Sequence, residues 1–207
     1  MKIMMFETPT MERDGSVPFG VLYAASSVLR EGHDVKIVDL VKNEYSYREL
    51  RDIIIDFSPG MIGIGGITSS YRNCKELVGN IKNDFKTLPV VAGGVISSVA
   101  DLLLESVGVD YIVHGEGEKT FPDLVNAIEH GRSISEVNGI SFLEKGRIVR
   151  TDPREQIDSL DDIPMPNYEL LDMKKYLEPV EEWFRNYFSQ DIEEFDPGED
   201  KKHEQAA

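Results

Sequence analysis

One cysteine in 207 residues, Cys74, excludes an internal disulfide, and with it the small secreted scaffolds that depend on such bonds. Long apolar runs are missing too, and none approaches the ~20 residues that span a bilayer. The opening MKIMMFE turns acidic before an apolar core of useful length develops. No secretory signal is therefore expected, and the cytoplasm is the expected compartment. Basic residues are the third shortage. A formal charge of −16 repels phosphate backbones and argues against nucleic acid as a partner. The deficit is uneven: residues 1–151 carry 16 basic and 21 acidic groups, whereas residues 152–207 carry 6 and 17. The last quarter reads as a solvated acidic tail behind a mildly acidic domain.

What remains, 41% apolar, is enough for a globular core, and it is ordered as strands alternating with helices. Five short apolar runs, Lys2–Glu7, Val35–Leu40, Met61–Ile67, Pro89–Gly93 and Tyr111–His114, mostly lack two-residue alternation, as strands buried on both faces do. Between them apolar residues recur at helical spacing: Leu50, Ile53, Ile54 and Phe57; Cys74, Leu77, Val78, Ile81 and Phe85; Phe121, Leu124, Val125 and Ile128. Cys74 on such a stripe reads as a small core residue rather than a reactive thiol. Five strand–helix units with short loops imply right-handed crossovers. The predicted fold is α/β, a flavodoxin-like (Rossmann-like) doubly wound five-stranded parallel sheet in the order 2-1-3-4-5.

Beyond Gly131 the pattern changes. Asn138–Phe142 and Arg147–Thr151 flank the probable turn sequence LEKG, which predicts a C-terminal β-hairpin. A run rich in proline and acid follows as an extended linker. The chain thus divides into an α/β domain over 1–133, a hairpin extension over 134–152, a linker over 153–179, and a short helix with an acidic tail over 180–207. That helix is expected over Val180–Ser189, with Trp183, Phe184 and Phe188 on its apolar side.

In such a sheet, ligands sit beyond the carboxyl ends of the strands. The least core-like residues fall there. A long loop containing Thr10 follows strand one. Gly65 and Gly66 lead into Thr68, Ser69 and Ser70 after strand three. Gly93 and Gly94, with Val95 and Ile96, end strand four, and Gly115, Glu116 and Gly117 follow strand five. A glycine pair at a strand end packs nothing, so something is expected to approach the backbone closely there. Each loop alone also reads as a tight turn with a helix cap, which Ser98 or Thr120 would supply. The dinucleotide fingerprint is absent from the first loop, and no aspartate ends strand three as a phosphoacceptor domain requires. Two alternatives stay open. One is the N-terminal half-domain of a two-domain glycosyltransferase, supported by LREGHDV at 29–35. The other is a flavodoxin-like interaction domain without a cofactor.

The hydroxyl-bearing turn after strand three, Gly-Gly after strand four and Gly-Glu-Gly-Glu after strand five together resemble the N-terminal cobalamin (vitamin B12)-binding domain of cobalamin-dependent radical SAM enzymes. The likeness continues through Asn138–Phe142, Gly146–Val149 and LDDIPMPN at 160–167, and spans roughly residues 2–177. The resemblance implies a corrin ring over the carboxyl edge of the sheet, with the nucleotide tail threaded into the fold. It assigns cobalamin contacts to Thr10, Gly65, Gly66, Thr68, Ser69, Ser70, Gly93, Gly94, Val95, Ile96, Gly115, Glu116 and Gly117. In this view Gly94 is a steric gate, and valine there should spare the apo fold but block the tail. The histidine that ligates cobalt in methionine synthase and the mutases has no counterpart in the first loop, and His33 falls in the turn before strand two. Cobalamin is therefore expected base-off and without histidine ligation. His114, ending strand five, reads as a hydrogen-bonded structural residue. One cysteine cannot supply three thiolates, so no iron–sulfur cluster is expected in this chain. The chain is not expected to be catalytic alone, and its expected partner is a radical SAM catalytic domain or protein, of a methyltransferase or oxidative cyclase.

Overall fold

The computed structural model describes residues 1–9 and 16–177. Thr10, the helix expected over Val180–Ser189 and the acidic tail lie outside the described residues. Five parallel strands form as expected: β1 (Lys2–Glu7), β2 (Asp34–Asp39), β3 (Met61–Gly65), β4 (Val90–Gly93) and β5 (Tyr111–Val113). They stand in the order 2-1-3-4-5. The crossovers are α1 (Phe19–Arg30), α2 (Tyr47–Phe57), α3 (Tyr71–Asp84) and α4 (Ala100–Leu102), which runs on into a π-helical turn at Leu103–Val107; α5 (Gly117–Glu129) follows β5. The start of α2 is written locally. Ser46 and Glu49 form a reciprocal capping box that satisfies two otherwise orphaned amide groups.

The sheet does not stop at five strands. β6 (Ile140–Glu144) pairs antiparallel with β5, placing Ile140 opposite Val113, and β7 (Arg147–Arg150) pairs with β6. The hairpin expected as an appendage is thus the edge of one seven-stranded sheet. Ile140 is buried and continues the core, which is what draws the hairpin into the sheet. Its turn is tighter than the sequence suggested, with Lys145 and Gly146 both at positive φ between paired Glu144 and Arg147.

Side-chain parity decides where the site lies. On one face Met4, Phe6, Ile62, Ile64, Val90, Ala92 and Ile112 pack with residues of α2, α3 and the π-helical turn. On the other, Ile3, Met5, Met61, Val91 and Val113 meet residues of α1 and α5. Cys74 is fully buried in the first cluster, and burial pushes its thiol up to about 11. It is core, as expected.

The segment after β7 is not a free extension. Gly139 N–H donates to the Asp152 carbonyl at 2.8 Å, and Arg154 pairs with Asp123 of α5 at 2.6 Å. The Arg30 guanidinium donates to the Asp162 carbonyl at 2.8 Å, and Asn167 N–H to Ser26 Oγ at 2.8 Å. Residues 152–167 are strapped over α1 and α5. Residues 1–171 make one unit; of a second unit, 172–207, the 3-10 turn Met173–Lys175 is described.

Candidate functional site

A cavity of about 500 Å³ opens at the carboxyl ends of β1, β3, β4 and β5 and runs inward between the sheet and helices α1 and α5. It straddles the β1–β3 boundary, where the strand order reverses, the expected ligand position in this class of sheet. Its size is that of a small-molecule pocket.

The cavity exists because of glycines spaced two apart. On β3, Met61, Gly63 and Gly65 share the face toward α1, and on β4 Val91 and Gly93 do the same. Three consecutive inward positions on neighbouring strands therefore carry no side chain. At Gly63 a Cβ would sit 3.3 Å from Met5 Cγ and from Phe121 Cζ, which form the floor. At Gly65 it would lie 2.2 Å from Val21 Cγ2, so glycine also lets α1 approach the sheet. Gly93 has more room, its nearest neighbour being Val113 Cβ at 3.5 Å.

Of the residues expected at the site, Gly65, Gly66, Gly93, Gly94, Val95, Gly115, Glu116 and Gly117 line this one cavity. Thr68 and Ser69 are exposed on the rim, and the Thr68 hydroxyl is 3.2 Å from that of Ser98. Ser70 and Ile96 turn elsewhere. Ser70 is fully buried, its hydroxyl donating to the Ile67 carbonyl at 2.7 Å and accepting from Thr8 at 3.0 Å. Ile96 is fully buried in the opposite core cluster, with its N–H bonded to the Gly66 carbonyl at 3.0 Å. The capping alternative fails at both residues proposed for it. Ser98 lies within a 3-10 turn, and the hydroxyl of Thr120, inside α5, is buried without a hydrogen-bond partner among the described residues.

Gly94 differs from Gly93 in kind. It has φ +80 and ψ −158, a conformation open essentially to glycine alone. The gate expected there is therefore first a backbone requirement, and valine at 94 would strain the apo fold.

Met5, Glu7, Phe19, Gly63 and Phe121 are lining residues that the sequence reading passed over. The signal for one of them, Gly63, is present in the sequence: Gly-Ile-Gly on a buried strand empties one face twice in succession. Phe19 is about half exposed at the mouth, together with Ile67 and Val95, so an apolar rim surrounds the opening. Glu7, Glu116 and Glu118 are the charged lining residues; no lysine, arginine or histidine joins them among the described residues.

The described histidines do not line it. His33 sits before β2, at the opposite edge of the sheet, with Nε2 3.0 Å from Asn126 Oδ1. His114 has Nε2 2.7 Å from Ser141 Oγ, and burial, then the Arg150 charge, lowers its pKa. A structural hydrogen bond is what the sequence suggested for it.

Fold and cavity define a flavodoxin-like α/β domain with a small-molecule-sized cavity at the carboxyl edge of its sheet. The chain belongs to the B12 binding domain family, whose model matches residues 15–125. It is 36% identical over 184 residues to a protein described as an uncharacterized methyltransferase from Pyrococcus horikoshii, covering 85% of this chain and 40% of that one. It is 31% identical over 163 residues to an anaerobic magnesium-protoporphyrin IX monomethyl ester cyclase from Synechocystis, covering 77% of this chain and 32% of the cyclase. Among solved structures, the cobalamin-dependent S-adenosylmethionine radical enzyme OxsB with aqua-cobalamin bound superimposes with a TM-score of 0.74 at 19% identity, over 84% of this chain and 25% of that one. The radical methyltransferase TsrM from Kitasatospora setae, with cobalamin and a 4Fe–4S cluster bound, gives 0.67 at 20% identity, over 83% and 34%. The fold is shared with cobalamin-dependent radical SAM enzymes. This chain spans less than half the length of these relatives. Among the described residues, no helix is long and apolar enough to cross a membrane.

Proposed function

We propose that this domain carries cobalamin base-off, with the nucleotide tail in the cavity between the sheet and α1 and α5, and with no histidine on cobalt. The observation that carries this reading is the glycine-floored cavity at the strand-order switch, lined by no histidine among the described residues. A flat heterocycle can lie against backbone only where side chains are missing and the space is open, as at Gly93, whereas the space over Gly63 and Gly65 is taken by Met5, Phe121 and Val21. The exposed apolar rim of Phe19, Ile67 and Val95 suits the edge of a macrocycle too large to enter. Thr68 and Ser69, exposed next to the lining residue Ile67, would meet polar groups at the mouth, whereas Ser70 and Ile96 act through the fold. Cobalamin, when bound, supplies a cobalt centre able to accept and release a methyl group or an electron.

The catalytic partner in this proposal is a radical SAM domain. Its support is the fold shared with TsrM and OxsB and the small share of their length that this chain covers.

The test is spectroscopic. Purified protein incubated with hydroxocobalamin should retain the corrinoid through gel filtration and show a base-off absorbance spectrum. After reduction, the cob(II)alamin EPR signal should lack nitrogen superhyperfine splitting. Retention with splitting would keep cobalamin and discard the base-off, histidine-free mode; no retention would discard the reading.

A further inference from the structure

One group on the cavity wall is not used by the reading above. Glu7 ends β1 on the same face as Met5, half-buried, with Oε2 3.1 Å from where a side chain at Gly65 would begin. No hydrogen bond or ion pair from the described residues reaches its carboxyl. Among the described residues, the elements around it offer no cation. β2 presents Asp39, its register partner; β3 presents Gly65; α1 presents Val21; the turn before α5 presents Glu116 and Glu118 to the same cavity. Burial, reinforced by the Asp39 charge, pushes the Glu7 carboxyl up to about 7. In this setting the neutral acid is a hydrogen-bond donor, and the ionised form is an uncompensated charge that a ligand would desolvate further.

We propose that Glu7 is a specificity residue of the cavity, which as a neutral acid donates a hydrogen bond to a ring-nitrogen acceptor on the inserted heterocycle. This rests on the cobalamin reading and deepens it. In the base-off state the benzimidazole nitrogen released from cobalt is such an acceptor, and it would otherwise be buried without a partner. The complex holds one proton between carboxyl and nitrogen. Binding therefore takes up a proton wherever free Glu7 is ionised, and affinity falls as pH rises through its titration.

The test is equilibrium binding of methylcobalamin, which carries no axial water to titrate, from pH 6 to pH 8. With one proton taken up and a titration near 7, the dissociation constant should rise about tenfold across that range. Glu7→Gln, which cannot ionise, should reduce the pH effect to under twofold. Cobinamide, which lacks the nucleotide and so the acceptor, provides a comparison in the unaltered protein, and its binding should not share the dependence. A flat profile for methylcobalamin, or an equal slope for cobinamide, would overturn the Glu7 assignment while leaving cobalamin binding in place. Absence of methylcobalamin binding at every pH would overturn both.

Discussion

The carboxylate of Glu116 accepts a hydrogen bond from the backbone N–H of Ile157 at 2.7 Å. This ties the turn that borders the cavity to the strap that crosses α1 and α5. Glu116 is the N-cap residue of α5, yet its side chain serves no intrahelical amide and reaches the strap instead. Glu116→Ala should therefore loosen the strap without unfolding the sheet. Loss of a charge-assisted bond at the surface is worth about 1 kcal/mol, roughly a fivefold change in local opening. Hydrogen exchange should show the Ile157 amide exchanging several-fold faster. The Ile62 amide, bonded to the Pro89 carbonyl at 2.9 Å within the sheet, should be unchanged.

The two glycines ending β4 should part company on mutation. Gly94 occupies φ +80, and an alanine there carries a backbone penalty of about 1–3 kcal/mol before any ligand is present. Gly93→Ala places its methyl at ordinary contact distance from Val113, so the apo fold should keep its urea midpoint. That methyl nevertheless points into the cavity. Methylcobalamin affinity should fall for Gly93→Ala, and the apo midpoint should fall for Gly94→Ala. The reverse pattern would show that the cavity face is misassigned.

These two positions also mark what the sequence could and could not reveal. Strand order, the helical stripes and the clustering of glycines at one edge were legible because periodicity and spacing report burial directly. The hairpin was legible as a hairpin. Its incorporation into the sheet was not, because pairing of Ile140 with Val113 depends on β5 lacking a sixth parallel neighbour, a property of the whole fold. Ser70 looked identical to Thr68 and Ser69 in sequence. Only the 3-10 turn at Thr68–Ser70 turns its hydroxyl inward while theirs face out. The path of the linker over α1 and α5 is not legible in the sequence because its anchors, Arg30, Asp123 and Ser26, lie far away in the chain.

Ser70 should accordingly matter for stability more than for ligand. Its hydroxyl links Thr8 to the Ile67 carbonyl, and the Thr8 hydroxyl lies 2.9 Å from the Gly65 carbonyl. Removing either hydroxyl strands a buried partner, a loss of about 1–3 kcal/mol. Thr8→Val and Ser70→Ala should each lower the urea midpoint, and the double variant should lose less than the sum, since the first change already breaks the shared bond. Equal and fully additive losses would argue that the two hydroxyls act separately.

Glu7 should leave a mark on the apo protein as well. Its pKa is raised from the ordinary 4.5 to about 7, by burial first and Asp39 second. The sign follows from linkage: a carboxyl raised on folding contributes its full stability below its unfolded pKa, and that contribution is lost as pH rises through the folded value. The window is therefore roughly pH 4.5 to 7, and above it the fold carries an ionised carboxylate with no ion-pair partner among the described residues. Glu7→Gln should be more stable than the unaltered protein at pH 8, by as much as ~3 kcal/mol if the whole shift is expressed. The difference should shrink as pH falls below 5. Urea titrations at pH 5 and pH 8 measure it directly.

Asp123 should show the opposite dependence. Burial alone would raise its carboxyl, but hydrogen bonds from Arg132 at 2.8 Å and Arg154 at 2.6 Å, with their charges, hold it below the ordinary value of 3.8. A depressed carboxyl contributes stability that is present above its unfolded pKa and lost as pH falls through its folded one. Asp123→Asn should thus cost stability at neutral pH, and the cost should shrink as pH falls below the ordinary carboxylate range and the unaltered aspartate becomes neutral. The group is partly exposed, so solvent screening keeps the neutral-pH cost near 1 kcal/mol. The local consequence is sharper than the global one. Arg154 anchors the strap next to the bond between Gly139 N–H and the Asp152 carbonyl, and its Nε is already buried without a partner. Releasing its guanidinium from Asp123 should increase exchange at the Gly139 amide in Asp123→Asn at pH 7. Amides of α5 itself should be spared. If Gly139 stays as protected as in the unaltered protein, the strap is held by its other anchors and Asp123 serves Arg132 alone.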